Sequence, residues 1–135
     1  RRSRSWSSRS REELFLENKL KETGVEFEPQ APLYNPIGTL RIVDFAIPSS
    51  KKPEFIIEVT KIVGKGKKTH LRTAQRLKER FLMLKHFYSP NSRFIAFVNT
   101  RDNSKISEMK NELHDICEVF RLDDATILNE FNGEN

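Results

Sequence analysis

One cysteine, no long apolar run and a minority of acidic residues set the first limits on this sequence of 135 residues. Cys117 alone excludes an intramolecular disulfide and a zinc–cysteine cluster, and it makes a reducing, intracellular compartment the expectation. Its neighbours Ile116 and Val119 are apolar, so the thiol is read as core rather than as a reactive group. No segment approaches the roughly 18 apolar residues of a membrane span, and no signal-peptide pattern is present, so no membrane partner is expected. Asp and Glu number 19 against 24 Lys and Arg, a net charge of +5 that favours a polyanionic partner. What the chain does have is core material: ten Phe with abundant Ile, Leu and Val, enough for one folded unit. Because the first residue is not Met, the sequence is read as a piece of a longer protein whose further domains are missing.

Residues 1–9 are Arg and Ser with one Trp, a composition that cannot bury enough apolar area to fold alone, so a flexible basic arm is expected ahead of a single domain over 10–135. Ser10 is placed to cap a helix to about Thr23, and Gly24 to end it. Residues 25–28 alternate as a short strand, and Pro29, Pro32, Pro36 and Gly38 then predict an irregular connection. The β-rich segments 40–47 and 54–60 read as a hairpin. After a basic loop, Thr69 is expected to cap a helix to about Tyr88 with Leu71, Ala74, Leu77, Phe81 and Leu84 facing inward. Residues 93–98 are almost continuously apolar, as in a strand covered on both faces. From Asp102 or Ser104, the register Ile106, Met109, Leu113, Ile116 and Phe120 predicts a last long helix, and 125–131 a short terminal element. The order αβββαβα predicts an α/β sandwich, a central mixed β-sheet flanked by helices.

Two acidic residues interrupt the apolar strands. Alternation places Ile42, Asp44 and Ala46 on one face, and Ile56, Glu58 and Thr60 on one face of the partner strand. A suitable register brings both carboxylates together, where they repel one another and resist desolvation unless a cation neutralises them. An oxygen-only site of this kind suits a hard divalent ion, Mg²⁺ or Mn²⁺.

The segments Val43-Asp44-Phe45 and Phe55-Ile56-Ile57-Glu58-Val59-Thr60, with thirteen residues between Asp44 and Glu58, resemble the core of the PD-(D/E)XK nuclease superfamily. Ser10-Arg11-Glu12-Glu13-Leu14-Phe15, Phe27-Glu28-Pro29-Gln30 and Arg41-Ile42-Val43-Asp44-Phe45 are similar to the branch of very-short-patch repair and related homing endonucleases. The resemblance spans about residues 10–100. It implies a restriction-endonuclease-like fold, a Mg²⁺-dependent cut in DNA, and metal ligation by Asp44, Glu58 and the Val59 carbonyl, with Glu12 or Glu13 contributing from the first helix. It also implies a Lys two residues after the Glu, where this chain has Thr60. Three accounts follow: Lys61 or Lys65 turns into the site past a bulge or strand end after Thr60, His70 or Gln75 serves instead, or the fold binds nucleic acid without cutting it.

Lys67, Lys68, Arg72, Arg76, Lys78, Arg80 and Lys85 line the helix that starts at Thr69, a density suited to phosphate contacts, and Arg4, Trp6 and Arg9 extend that footprint as an arm. Double-stranded DNA is the expected partner, and a homodimer would suit a double-strand cut. Against these stand blander readings: a solvated basic face, His86 and His114 as structural or surface residues, and a domain that docks an acidic protein. The run Gly64-Lys65-Gly66-Lys67-Lys68-Thr69 lacks the glycine spacing of a phosphate-binding loop, which excludes an NTPase.

Overall fold

The computed structural model describes residues 9–62 and 66–131, with the side chains of 125 and 126 left aside. Helix α1, Arg11–Thr23, starts at Ser10 through a reciprocal cap. The Ser10 hydroxyl accepts the Glu13 N–H at 3.1 Å, and the Ser10 N–H donates to the Glu13 carboxylate at 2.7 Å. Gly24 ends the helix in the left-handed region at φ 76°, which a glycine adopts without strain. Leu16 and Leu20, four residues apart, are its fully buried face.

Strand β1 runs from Glu28 to Tyr34, later than the expected 25–28, and takes in both Pro29 and Pro32. It lies at the sheet edge and pairs only with β2, so the missing N–H groups can face away from the ladder. Strands β2, Leu40–Ile47, and β3, Phe55–Lys61, are antiparallel as expected of the hairpin. Helix α2, Thr69–Phe87, then crosses over to β4, Arg93–Asn99, which runs parallel to β3. Thr69 is not the cap of α2. Lys68 occupies that position without a side-chain bond, and the Thr69 hydroxyl donates to the Gly66 carbonyl at 3.1 Å.

Helix α3, Asn103–Leu113, is capped by Asp102, whose carboxylate accepts the Ser104 N–H at 2.9 Å. It stops well short of the predicted Phe120. Glu118–Arg121 instead forms β5, parallel to β4. Ile116 and Phe120 satisfy helical spacing from Leu113, but Val119 and Phe120 alternate across a strand, Val119 in the core on one face and Phe120 against Phe97 on the other. A 3₁₀ helix, Ala125–Phe131, closes the described chain.

The sheet order is β1-β2-β3-β4-β5. On one face Ile56, Phe94, Ala96 and Val98 pack under Leu77, Phe81 and Leu84 of α2 and Ile106, Met109 and Leu113 of α3. On the other, Phe45, Ile57, Ile95 and Phe97 pack against Leu16 and Leu20 of α1 and Leu128 of the 3₁₀ helix. β4 is buried on both faces, as its apolar run requires, and truncating Phe97 to Ala would cost about 3–5 kcal/mol. Cys117 is buried beside this core, and burial pushes its thiol up to about 12. Among the described residues, no helix is long and apolar enough to cross a membrane.

One irregularity positions the site. β1 and β2 pair from Glu28↔Ala46 to Tyr34↔Leu40, but β2 and β3 pair only at Phe45↔Ile57, Ala46↔Ile56 and Ile47↔Phe55. Beyond these three pairs the two strands part. Val43 and Ala46, three residues apart, both join the α2-side core, so the alternation expected through Ile42, Asp44 and Ala46 is broken at Asp44. Opposite the break, Gln30 has φ 50°, a rare conformation for a residue with a side chain.

Candidate active site

The β2–β3 register would next pair Asp44 with Glu58, and there the backbone ladder is replaced by side chains. The Asp44 carboxylate accepts the Val59 N–H at 2.8 Å, and the Glu58 carboxylate accepts the Asp44 N–H at 3.1 Å. Each acidic side chain satisfies a donor of the strand across from it, which holds the fork open without orphaning buried amides. The two carboxylates therefore meet in the fork rather than on opposite faces of the sheet.

Both layers of helix reach this point. From α1, Glu13 shares a hydrogen bond with Asp44, while its oxygens also accept the Ser10 N–H and, at 3.1 Å, the Gln30 amide. From α2, Arg80 donates through Nε to Glu58 Oε1 at 2.9 Å and through Nη2 to Glu58 Oε2 at 3.4 Å. The same Nη2 donates at 2.6 Å to the carbonyl of Ile42, on the arm of β2 that has left β3.

Burial raises the Asp44 carboxyl to about 9, with the charge of Glu58 and the bond to Glu13 acting in the same direction. Glu58 is also raised by burial, although the Arg80 guanidinium opposes this. Burial works against ionisation of Glu13 as well, but its bonds from Asp44 and Ser10 and the charge of Arg9 hold it below the usual carboxylate range. Asp44 and Glu58 therefore both hold a proton more tightly than a free carboxylate, whereas Glu13 releases its proton more readily. Of the nearby cations, Arg80 pairs with Glu58 and Arg9 acts on Glu13.

Sequence candidates divide into those gathered here and those placed elsewhere. Of the two α1 acids, Glu13 joins Asp44, whereas Glu12 accepts the Asn99 amide at 2.7 Å beside a separate cavity of about 280 Å³. Thr60 shares the α2-side face of β3 with Glu58, and its hydroxyl carries no charge that could replace a Lys. No bulge follows Thr60: β3 and β4 stay in register through Thr60↔Val98 and Lys61↔Asn99, where β3 ends, which leaves Lys61 exposed and on the opposite side from Glu58. His70 is buried and bonds Glu108 of α3 at 2.7 Å, so α3 rather than the carboxylate pair holds its ring. Gln75 is exposed and donates to Glu79 at 2.9 Å, one turn along the same helix.

Among the basic candidates, Lys67, Lys68, Arg72 and Arg76 are exposed. Arg9 is folded back onto Glu17 of α1 instead of extending as an arm. Arg4, Trp6 and Lys65 lie outside the described residues. Arg80, counted in the sequence with the phosphate-binding face, is the site residue that spacing did not single out. Gln30 and Asn99, the amides that orient Glu13 and Glu12, were not legible either, because neither belongs to a charged pattern.

Among the described residues, no three His, Cys, Asp or Glu side chains are arranged to hold a metal ion. The donor set of Asp44, Glu58 and backbone oxygen is nevertheless all oxygen, which fits a hard divalent cation that keeps several waters. A cavity of about 610 Å³, lined by Tyr34, Lys51, Lys52, Tyr88 and Arg93 among others, touches neither carboxylate. Chemistry, not cavity size, marks the site.

A mixed five-stranded sheet sandwiched by helices, with antiparallel β1–β3 and parallel β3–β5, is the restriction-endonuclease-like α/β fold. A solved structure that it matches is the complex of restriction endonuclease PspGI with its substrate DNA, at a TM-score of 0.60 and 17% identity over 91% of this chain. The chain spans 60% of that protein's length. At this identity the likeness establishes the fold alone. No protein-family profile and no curated protein sequence matches the chain.

Proposed function

We propose that the chain is a divalent-metal-dependent endonuclease that hydrolyses phosphodiester bonds in DNA. The observation that carries this reading is the pair Asp44 and Glu58, half-buried together in the strand fork, where desolvation opposes the charge of each. The resemblance to a restriction endonuclease seen in a complex with DNA supports it, as does the net charge of +5. Within this reading the chain is an outlying member of the PD-(D/E)XK superfamily, in the neighbourhood of the repair and homing branch, with double-stranded DNA as substrate.

Asp44, Glu58 and the Val59 carbonyl are the groups that would hold Mg²⁺ or Mn²⁺, with Glu13 as a further contact. A cation bound there would polarise a phosphoryl oxygen and make water a stronger nucleophile at neutral pH. The chain's own part is positioning. Val59 N–H and Glu13 fix Asp44, Arg80 fixes Glu58, and the capping box of α1 fixes Glu13.

The experiment is Mg²⁺-dependent cleavage of duplex, mismatched and single-stranded DNA by the wild type, Asp44→Asn and Glu58→Gln. Cleavage lost in both variants with DNA binding retained is the expected result. A second reading, a nuclease fold that binds DNA or RNA without cutting it, is favoured by one observation: Thr60 stands where the superfamily carries its Lys. Salt-sensitive binding with no cleavage of any substrate would select that reading over the first.

A further inference from the structure

Helix α2 carries Arg72, Arg76 and Arg80 at steps of four residues, which puts their side chains on one side of the helix about 6 Å apart along its axis. Arg72 and Arg76 are exposed and have no ion-pair partner among the described residues. Arg80 is the inner end of the row. Its side chain is 32% exposed, and its Nε and Nη2 edge is taken up by Glu58 and the Ile42 carbonyl. No described residue accepts from Nη1. A guanidinium has five N–H donors in a rigid fork, so two remain free beside the paired carboxylates.

We propose that Arg72, Arg76 and Arg80 form a track for the phosphates of one nucleic-acid strand, and that Arg80 bridges Glu58 and the phosphate to be cleaved. Arg80 would thereby supply from α2 the positive charge that Thr60 does not supply from β3. This inference rests on the nuclease reading for the word "cleaved", but the phosphate contact stands apart from it. The planar fork suits the role, since Arg80 can keep Glu58 on one edge while presenting the other to an oxyanion. A lysine at this position would lack the second planar edge and could not keep the two-point contact with Glu58 while meeting a phosphate. If Arg80 served only to pin Glu58, its loss would disturb the carboxylates without changing the number of phosphates the protein neutralises.

The test measures binding of a duplex oligonucleotide in Ca²⁺ at a series of salt concentrations, for the wild type, Arg76→Gln, Arg80→Gln and Arg80→Lys. Each lost phosphate contact lowers the slope of log K against log salt by about 0.9, and this decrease is expected for Arg76→Gln and for Arg80→Gln. In Mg²⁺, Arg80→Gln should lower kcat about 100-fold with little change in KM, and Arg80→Lys should recover the salt slope but not kcat. Arg76→Gln should raise KM alone. A salt slope unchanged in Arg80→Gln overturns the proposal, even where kcat falls, because that combination is the signature of a purely structural ion pair. If the wild type does not cleave, the nuclease reading fails and the salt slopes still decide whether Arg80 meets a phosphate. Should Arg80→Gln not fold, Arg80→Met is read in its place.

Discussion

The carboxylate of Glu58 accepts the backbone N–H of Asp44 at 3.1 Å, while the carboxylate of Asp44 accepts the N–H of Val59, the residue after Glu58, at 2.8 Å. This exchange of side chain for backbone keeps two acidic groups within a forked sheet that is otherwise apolar. Its cost shows in the proton: with the Asp44 carboxyl pushed up to about 9, the folded chain holds a proton that the unfolded chain releases near pH 3.8. Between these values the folded state binds more protons, so Asp44 makes stability fall as pH rises from about 4 toward 9, opposite to a salt-bridged aspartate.

Asp44→Asn removes that dependence. The amide oxygen still accepts from Val59, and its NH₂ can donate to Glu13, so the fork is kept without a charge to bury. Denaturant midpoints should be nearly equal for wild type and variant at acid pH. At alkaline pH the variant should be more stable by about 1–2 kcal/mol. Parallel stability curves for the two proteins across the whole pH range would contradict the buried, protonated Asp44.

A divalent cation needs Asp44 ionised. Binding of Mn²⁺ or Ca²⁺ near neutrality should therefore expel about one proton, and affinity should rise with pH by up to about tenfold per unit until pH approaches 9. Titration calorimetry in buffers of different ionisation enthalpy reads the proton directly. Asp44→Asn should show neither the proton nor the affinity. Binding with no proton release would mean that the cation sits elsewhere.

Glu13 owes its position to the start of α1. Ser10→Ala removes the hydroxyl that accepts the Glu13 N–H, but leaves the Ser10 N–H that donates to the Glu13 carboxylate. Stability should fall by about 1 kcal/mol, with cation affinity nearly unchanged. Thermal melting and the same calorimetric titration separate the two effects. A collapse of cation affinity would show that the hydroxyl, rather than the amide, sets the Glu13 carboxylate.

How far the sequence disclosed this site follows from which contacts are local. Ser10, Glu13 and Gly24 act within a turn of their own positions, so the limits of α1 could be read from residue type. Asp44 and Glu58 stood out because charge is rare inside apolar strands. β5 was hidden because Ile116 and Phe120 fit a helix as well as a strand, and only pairing with β4 decides between them. β1 was hidden by its prolines, which an edge position tolerates. Arg80 was indistinguishable from Arg72 and Arg76 by spacing, since its distinction is a contact with residues 22 and 38 positions away.

Glu12 and Glu13, adjacent in sequence, provide the sharpest test of this geometry. The bond and the charge of Glu13 both help to raise Asp44, whereas Glu12 is engaged with Asn99. Glu13→Gln removes a negative charge from beside Asp44, so the pH at which cation binding reaches half its limit should move down from about 9. Limiting affinity at high pH should also weaken, because one anionic contact is gone. Glu12→Gln keeps an amide-to-amide bond with Asn99 open to it and should leave the midpoint in place. The comparison is made by calorimetric titration of Mn²⁺ across pH for both variants, with circular dichroism confirming that each is folded. Equal shifts in the two variants would mean that α1 presents its acids to the fork as a diffuse negative field, and that the hydrogen bond between Glu13 and Asp44 has no separate role.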